Sequence, residues 1–138
     1  MNVYWRTYYH LVWATKDRSP LITPERESIL YGYILGKADS IGCMVQAIGG
    51  ISDHLHIVIS VPPTIAISDC VQRLKGSSAY HLNHQPNSKD EWFGWQRGYG
   101  VFTMGSKQCP IAIAYVLNQK EHHRDRTTIE ALEYEPGN

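Results

Sequence analysis

The sequence predicts an α+β fold: a ferredoxin-like, split βαβ antiparallel sheet with helices on one face and an added C-terminal helix. Two observations lead to this prediction. Segments rich in β-branched and aromatic residues alternate with segments whose apolar residues recur every three or four positions. The two kinds of segment follow one another in the order β-α-β-β-α-β-α, and the first six are the elements of the split βαβ sheet.

The first half of the chain is expected to form a strand, a helix and a hairpin. Residues 3–15 are dense in Val, Tyr, Trp, Thr and Leu and lack Gly and Pro, which predicts a long strand. Thr23 is placed to cap a helix that stops at Gly42, because Pro24 and two glutamates occupy its first turn. The hairpin is predicted from two strands with a diglycine turn between them: residues 43–48, residues 51–61 and Gly49–Gly50.

The second half is expected to form a helix, a short strand and a last helix. Apolar residues recur at helical spacing from Ile67 to about Leu82. The remaining elements are a polar loop, a short strand and a helix capped by Ser106: residues 84–91, residues 99–104 and residues 107–123.

The composition indicates one domain with a core of its own. The chain has 138 residues, of which 43% are hydrophobic, and it contains no repeat or linker. Its longest apolar run, residues 111–117, is far shorter than the roughly 20 residues of a membrane span, so no membrane contact is expected. We predict a single domain over residues 1–126 and an acidic, flexible tail over residues 127–138.

Charge and cysteine content narrow the class of protein only slightly. Thirteen Lys and Arg residues offset thirteen Asp and Glu residues, whereas a protein that coats nucleic acid is normally basic. The acidic tail, however, masks a slightly basic body. Three widely spaced cysteines and the lack of a secretion signal indicate a cytoplasmic protein with reduced thiols.

The segment Asp53-His54-Leu55-His56 is the first whose residues suggest chemistry. Side chains of a strand alternate between its faces, so the two imidazoles point the same way, about 7 Å apart along the chain. Such a pair can share a divalent metal ion, although with seven histidines this spacing also arises by chance. Hydrolases of the His-x-His-x-His type and two-histidine phosphoesterases do not fit, because Val58 follows the pair. The chain is also too short for a TIM-barrel metallohydrolase.

The last predicted helix carries a second set of polar residues. Tyr115 and Gln119 are one helical turn apart and share a face. Two imidazoles and an amide oxygen can hold Mg²⁺ or Mn²⁺ with positions left open for phosphate oxygens, and a phenolate can then attack the phosphorus. A tyrosine between two apolar residues is more often part of the core, so both interpretations stay open here. His122 and His123 are expected at a solvated helix end.

Four segments of the chain recur in the order and spacing of a known family: residues 13–20, residues 53–56, Lys75-Gly76-Ser77-Ser78 and residues 115–123. Together they resemble the single-tyrosine, His-hydrophobic-His (HUH) transposases of the insertion-sequence 200/605 group. The resemblance covers about residues 5–125. The run Asn118-Gln119-x-x-His122-His123 is similar to the branch that holds the repeat-associated tyrosine transposases.

The resemblance implies an enzyme that cuts and rejoins single-stranded DNA without ATP. It implies a homodimer that recognises hairpin-bearing element ends, in a cytoplasmic protein whose DNA substrate belongs to the nucleoid. By analogy Tyr115 is the nucleophile; it forms a 5′-phosphotyrosine and frees a 3′-hydroxyl. The same analogy gives Mg²⁺ or Mn²⁺ three ligands: His54, His56 and Gln119. Two alternatives remain, a domesticated repeat-processing nuclease with the same chemistry and a non-catalytic ferredoxin-like module that binds nucleic acid.

The remaining candidates concern DNA binding and support of the histidines. Basic side chains can pair with phosphates and an indole can stack on an unpaired base. Asp53 is placed to orient a histidine. An exposed edge at residues 3–15 is expected to support dimerisation by strand pairing. The predicted DNA contacts are Lys16, Arg18, Arg73, Lys75, Trp95 and Arg97.

Overall fold

A computed structural model describes residues 3–86 and 90–133 of the chain, and within these residues four strands form one antiparallel sheet. The strands are β1 (Tyr9–Ala14), β2 (Met44–Ile51), β3 (His54–Ser60) and β4 (Gly100–Thr103). The helices are α1 (Pro24–Ser40), α2 (Ile67–Asn83), α3 (Cys109–Leu117) and α4 (Gln119–Asp125). The strand order β2-β3-β1-β4 confirms the predicted ferredoxin-like α+β fold.

Strand β3 is buried on both faces because helices cover both sides of the sheet. Leu55, Ile57 and Ile59 pack into the main core with α1 and α2. Val58 points to the opposite face, where it packs against Val116 of α3. Helices α1 and α2 therefore share one face as predicted, and the added C-terminal helices cover the other.

Helix α1 begins and ends where the sequence predicts. The hydroxyl oxygen of Thr23 accepts a hydrogen bond from the Arg26 backbone N–H at 3.2 Å, which caps the first turn. The helix ends just before Gly42, whose φ of +84° is the left-handed conformation that glycine adopts most easily. In the described ranges, no helix combines the length and the apolar character that a membrane span requires.

The first strand is shorter than the predicted residues 3–15. Its first residue, Tyr9, pairs with Ile59 of β3 and Thr103 of β4, and both neighbouring strands end within one residue of these positions. Pro62–Pro63 follow β3 and cannot extend the ladder, because proline has no N–H to donate. Strand β1 also lies between β3 and β4, so the expectation that it offers a free edge for dimerisation is wrong for Tyr9–Ala14.

The hairpin turns later than predicted. Gly49 and Gly50 lie inside β2, opposite His56 and Leu55, and the turn falls at residues 52–53. A Cβ atom on Gly49 would lie 2.1 Å from the carbonyl oxygen of Val116. Glycine is needed at this position because the backbone of α3 passes so close to the sheet.

The last predicted helix is divided into two. Ser106 does not cap it; instead the side-chain oxygen of Gln108 accepts a hydrogen bond from the Gly105 backbone N–H at 2.5 Å, and α3 begins at the next residue. The break falls at Asn118, whose backbone N–H and side-chain amide both donate to the Ala114 carbonyl. Both hydrogen bonds satisfy the end of α3, and α4 then begins at Gln119.

Parts of two predicted segments lie outside the described residues. They are residues 87–89 of the polar loop and residues 134–138 of the tail, including Glu135 and Pro136–Gly137. Residues 127–133, here called the C-terminal segment, are described and contain a short 3-10 helix at Glu130–Leu132. The division of the chain at residue 126 stays a prediction.

Candidate active site

The histidine pair of β3 faces the C-terminal helices. His54 and His56 are 3% and 0% exposed, and their ring centroids lie 5.0 Å apart on one face of the strand, as the alternation predicts. The ladder places His56 between Val12 of β1 and Gly49 of β2. Paired strands on both sides therefore fix the backbone from which both imidazoles project.

Each ring of the pair is held at its Nδ1 atom. Nδ1 of His54 lies 2.8 Å from Oδ1 of Asp53 and 3.3 Å from Nη2 of Arg18. Nδ1 of His56 lies 2.8 Å from Nε2 of His10, a fully buried histidine of β1. A ring anchored at Nδ1 presents Nε2, which is the usual arrangement of histidines that bind metals.

Three side chains from the C-terminal part of the chain meet the two Nε2 atoms. Oε1 of Gln119 lies 3.3 Å from Nε2 of His54 and 3.1 Å from Nε2 of His123. The Glu133 carboxylate places Oε2 2.7 Å from Nε2 of His56 and Oε1 2.7 Å from Nε2 of His123. The ligand atoms of His54, His56, His123 and Glu133 all lie within 4.8 Å of one another.

The donors of this cluster fit a divalent metal ion. Imidazole nitrogens, an amide oxygen and a carboxylate are the donor types that Mn²⁺ accepts, and Mg²⁺ prefers the oxygens among them. Nε2 of His56 and Oε2 of Glu133 are buried and close, yet neither makes a well-aligned hydrogen bond. A cation bound between them would satisfy both atoms.

Burial and neighbouring charges shift the pKa values of the cluster in opposite directions. Burial would raise the pKa of Glu133, but the close imidazoles of His54 and His56 hold it well below its usual range. Burial also opposes the charge on His54, yet its bonds to Asp53 and Glu133 raise its pKa to about 9. Burial lowers the pKa of His56 in spite of Glu133, and lowers that of His10 to about 4.

Tyr115 lies beside the cluster on α3. Its ring meets the ring of His56 edge-on, with centroids 5.9 Å apart. The side chain is 3% exposed, and its hydroxyl oxygen accepts a hydrogen bond from the Ile129 backbone N–H at 3.0 Å. Burial raises the pKa of Tyr115, which favours the protonated phenol. The structure thus brings Tyr115 together with the predicted ligands His54, His56 and Gln119.

Three residues of this site were not predicted from the sequence: His10, His123 and Glu133. His123 was expected at a solvated helix end and instead turns into the cluster. Its signal was available, because positions 115, 119 and 123 follow one another at four-residue steps. His122 packs against Tyr115 with ring centroids 4.7 Å apart. No local sequence pattern marks the other two residues. Strand pairing places His10 beside His56, and a returning loop carries Glu133 to the imidazoles.

Two of the predicted DNA contacts lie on one side of the site. Arg18 places Nη2 3.5 Å from Oδ1 of Asp53, directly behind His54. Lys16 is exposed, and its ammonium lies 6.0 Å from the ring centroid of Trp92, an indole that is 67% exposed. Their role in binding DNA stays a prediction.

The other four predicted DNA contacts differ in how free their side chains are. Arg73 and Arg97 are exposed. The Lys75 ammonium donates to the carbonyl oxygens of Gln96 and Gly98 at 2.7 and 2.8 Å, so it anchors that loop. Trp95 packs edge-on against the core aromatics Trp13 and Phe93 and donates its N–H to Ser78. These contacts leave less of the indole for base stacking.

Fold and site together define a class of protein: a ferredoxin-like α+β domain whose central strand presents two histidines to a helix bearing a tyrosine. The family model described as "Transposase IS200 like" matches residues 3–119. The chain therefore belongs to the family of IS200-like transposases.

Individual relatives agree with this assignment. The ISDra2 transposase TnpA of Deinococcus radiodurans is 28% identical over 117 residues, which cover 82% of this chain and 84% of the relative. The transposase for insertion sequence element IS200 of Salmonella typhimurium is 26% identical over 125 residues, or 87% of this chain and 81% of the relative.

Solved structures share the fold. A Deinococcus radiodurans protein described as a transposase superposes with a TM-score of 0.65 at 27% identity, over 86% of this chain and 95% of that one. A REP-associated tyrosine transposase bound to a REP hairpin gives the same TM-score of 0.65 at 14% identity, over 89% of this chain and 74% of that one. At that identity the second likeness concerns the fold alone.

Proposed function

We propose that the protein is a metal-dependent transposase that cleaves and rejoins single-stranded DNA through a 5′-phosphotyrosine at Tyr115. The observation that carries the proposal is the position of Tyr115 beside His54, His56 and Gln119 in a chain of the IS200-like family. A tyrosine buried for packing alone would not require an imidazole pair and an amide oxygen around it.

The covalent step is a transesterification at phosphorus. The Tyr115 hydroxyl loses its proton and its oxygen forms a bond to the phosphorus, while the bond from phosphorus to the 3′ oxygen breaks. The departing 3′ oxygen takes up a proton and becomes a free hydroxyl. Because the new ester keeps the phosphodiester energy, attack by another 3′-hydroxyl reverses the step, releases Tyr115 and joins the strands without ATP.

The side chains around Tyr115 have separate tasks in this proposal. His54, His56 and Gln119 hold Mg²⁺ or Mn²⁺, and His10 and Asp53 keep the two imidazoles in position. When bound, the ion supplies Lewis-acid polarisation of the phosphate and stabilises the leaving oxygen.

The nucleophile is covered in the DNA-free arrangement. The Tyr115 hydroxyl is buried and bonded to the N–H of Ile129, so the C-terminal segment has to move before a phosphate can reach it. DNA binding therefore includes displacement of that segment.

The proposed substrate is single-stranded DNA with a hairpin near each element end. The protein is proposed to bind it in the cytoplasm as a homodimer, and light scattering would measure the mass of that dimer.

The decisive experiment compares the wild type with Tyr115→Phe on end-labelled single-stranded DNA from the flanking genomic sequence. Both are incubated with Mg²⁺ or Mn²⁺, with a chelator control, and separated on a denaturing gel. We expect a slow-migrating protein–DNA adduct that requires metal and is absent from Tyr115→Phe. Tyr80→Phe, which changes an exposed tyrosine of α2, should keep the adduct.

Each other outcome favours a different function. Cleavage that persists in Tyr115→Phe would make water or another residue the nucleophile. Binding on a native gel without any cleavage would favour the nucleic-acid-binding module. A repeat-processing nuclease would give the same adduct but act on chromosomal repeats that flank no mobile element.

A further inference from the structure

The C-terminal segment is tied to the site at several points before it delivers Glu133. Arg126, in the left-handed conformation with a φ of 57°, turns the chain back at the end of α4. The Thr127 backbone N–H then donates to the His122 carbonyl at 2.9 Å, and the Ile129 N–H donates to Tyr115. These bonds fix the path along which Glu133 reaches the imidazoles.

The Glu133 carboxylate is the anionic member of the cluster. It is 15% exposed, and its two oxygens contact Nε2 atoms of all three imidazoles: His54 at 3.3 Å, His56 at 2.7 Å and His123 at 2.7 Å. Asp53 also contacts His54, but at Nδ1, on the side of the ring turned away from the cluster. The other donors, imidazoles and an amide, carry no negative charge when they bind a cation.

We propose that Glu133, together with His123, completes the divalent-metal site of the DNA-free protein and supplies its anionic oxygen ligand. This inference rests on the proposed function, because it concerns the same metal site. Hard divalent cations favour carboxylate oxygens, and a site of neutral donors alone holds them weakly. The contact of Glu133 with the Nε2 atoms is therefore the one expected of a ligand.

The position of Glu133 also fits the movement that DNA requires. The segment that carries Glu133 also covers Tyr115. When DNA displaces this segment, Glu133 leaves the imidazoles and Tyr115 is uncovered at the same time. The scissile phosphate then provides an anionic oxygen where the carboxylate was. Glu133 is in this sense an exchangeable ligand that keeps the site filled until substrate arrives.

The test measures Mn²⁺ binding to the full-length, DNA-free protein by isothermal titration calorimetry. Glu133→Gln keeps the size of the side chain but removes its charge. We expect it to weaken Mn²⁺ binding by at least roughly 10-fold, because loss of an outer-shell partner alone already weakens metal binding 10- to 100-fold. Glu130→Gln, an exposed change in the same segment, should bind as the wild type does. Thermal unfolding in chelator establishes that each variant is folded.

The outcomes separate this inference from the proposed function. Wild type that binds Mn²⁺ no better than Glu133→Gln overturns the role of Glu133 while the metal-dependent function stands. Wild type that binds no Mn²⁺ overturns both. If Glu133→Gln fails to fold, His123→Gln takes its place, with weaker binding expected and unchanged binding counting against the four-residue site.

Discussion

The two halves of the candidate site are built in different ways. His54 and His56 belong to a strand paired on both sides, and each ring is anchored again at Nδ1. Tyr115 and Gln119 lie instead on helices of 9 and 7 residues separated by a break, and Glu133 lies on a returning segment beyond them. The sheet half is a fixed platform, whereas the helical half consists of two short helices and a returning segment.

This difference assigns different properties to the two halves. Fixed imidazoles would hold a bound metal ion in one position with or without substrate, because the ladder and the Nδ1 partners keep the rings in place. In the proposed function, displacement of the C-terminal segment uncovers Tyr115 for the phosphate. Metal affinity should thus respond to the sheet half and to Glu133, whereas DNA cleavage should depend on Tyr115 as well.

The largest effect is expected where the halves touch. A Cβ atom at Gly49 would lie 2.1 Å from the Val116 carbonyl oxygen, so Gly49→Ala forces α3 away from the sheet. We expect unfolding free energy to fall by about 1–3 kcal/mol, as overpacking does. Cleavage should fall about 100-fold, because misplacing a reacting group by about 1 Å has that effect. Chemical denaturation and the adduct assay measure the two quantities.

Gly36→Ala is the matched control for this change. Gly36 is an exposed residue of α1 with open space around its Cβ position, so the same methyl group should stabilise the helix by about 0.5–1 kcal/mol and leave cleavage unchanged. Folded Gly49→Ala protein with wild-type cleavage would show that the site does not depend on this contact.

The second prediction concerns the sheet half alone. His10→Phe keeps the ring but removes the nitrogen that contacts Nδ1 of His56, and we expect it to weaken Mn²⁺ binding by roughly 10- to 100-fold. His10→Gln retains a polar group at this position and should keep most of the affinity. Because His10→Phe leaves the buried Nδ1 of His56 without its partner, we expect the unfolding free energy to fall by about 1–3 kcal/mol. If both variants bound Mn²⁺ with the affinity of the wild type, His10 would be a packing residue only.

The same contrast explains which parts of the fold could be predicted from the sequence. Helix α1 follows from local signals, namely its Thr23 cap and the glycine after its end. The extent of β1 does not, because it depends on where its partners stop. Gly49–Gly50 resemble a turn locally, but the reason for Gly49 is a contact with Val116, 67 positions further along the chain.

The site divides along the same line. The pair His54 and His56 could be predicted because strand alternation is local, and Tyr115 with Gln119 because helical spacing is local. Glu133 could not, because a left-handed residue at Arg126 and a non-helical path bring it to the imidazoles. Loop-borne groups of this kind become visible only once the chain is folded.

The smallest effect is expected at the surface beside the fixed half. Lys16 is exposed and precedes Arg18, which contacts His54, so a strand that enters the site from this side passes its ammonium. One phosphate contact on single-stranded DNA contributes about 0.7 to the slope of log affinity against log salt. Lys16→Gln should lower the slope by about that amount, measured by fluorescence anisotropy in a Tyr115→Phe background. Lys37→Gln, on α1 and on the opposite face of the sheet, should leave it unchanged. Equal slopes for both variants would mean that the DNA reaches the histidines by another route, over the helical rather than the sheet half.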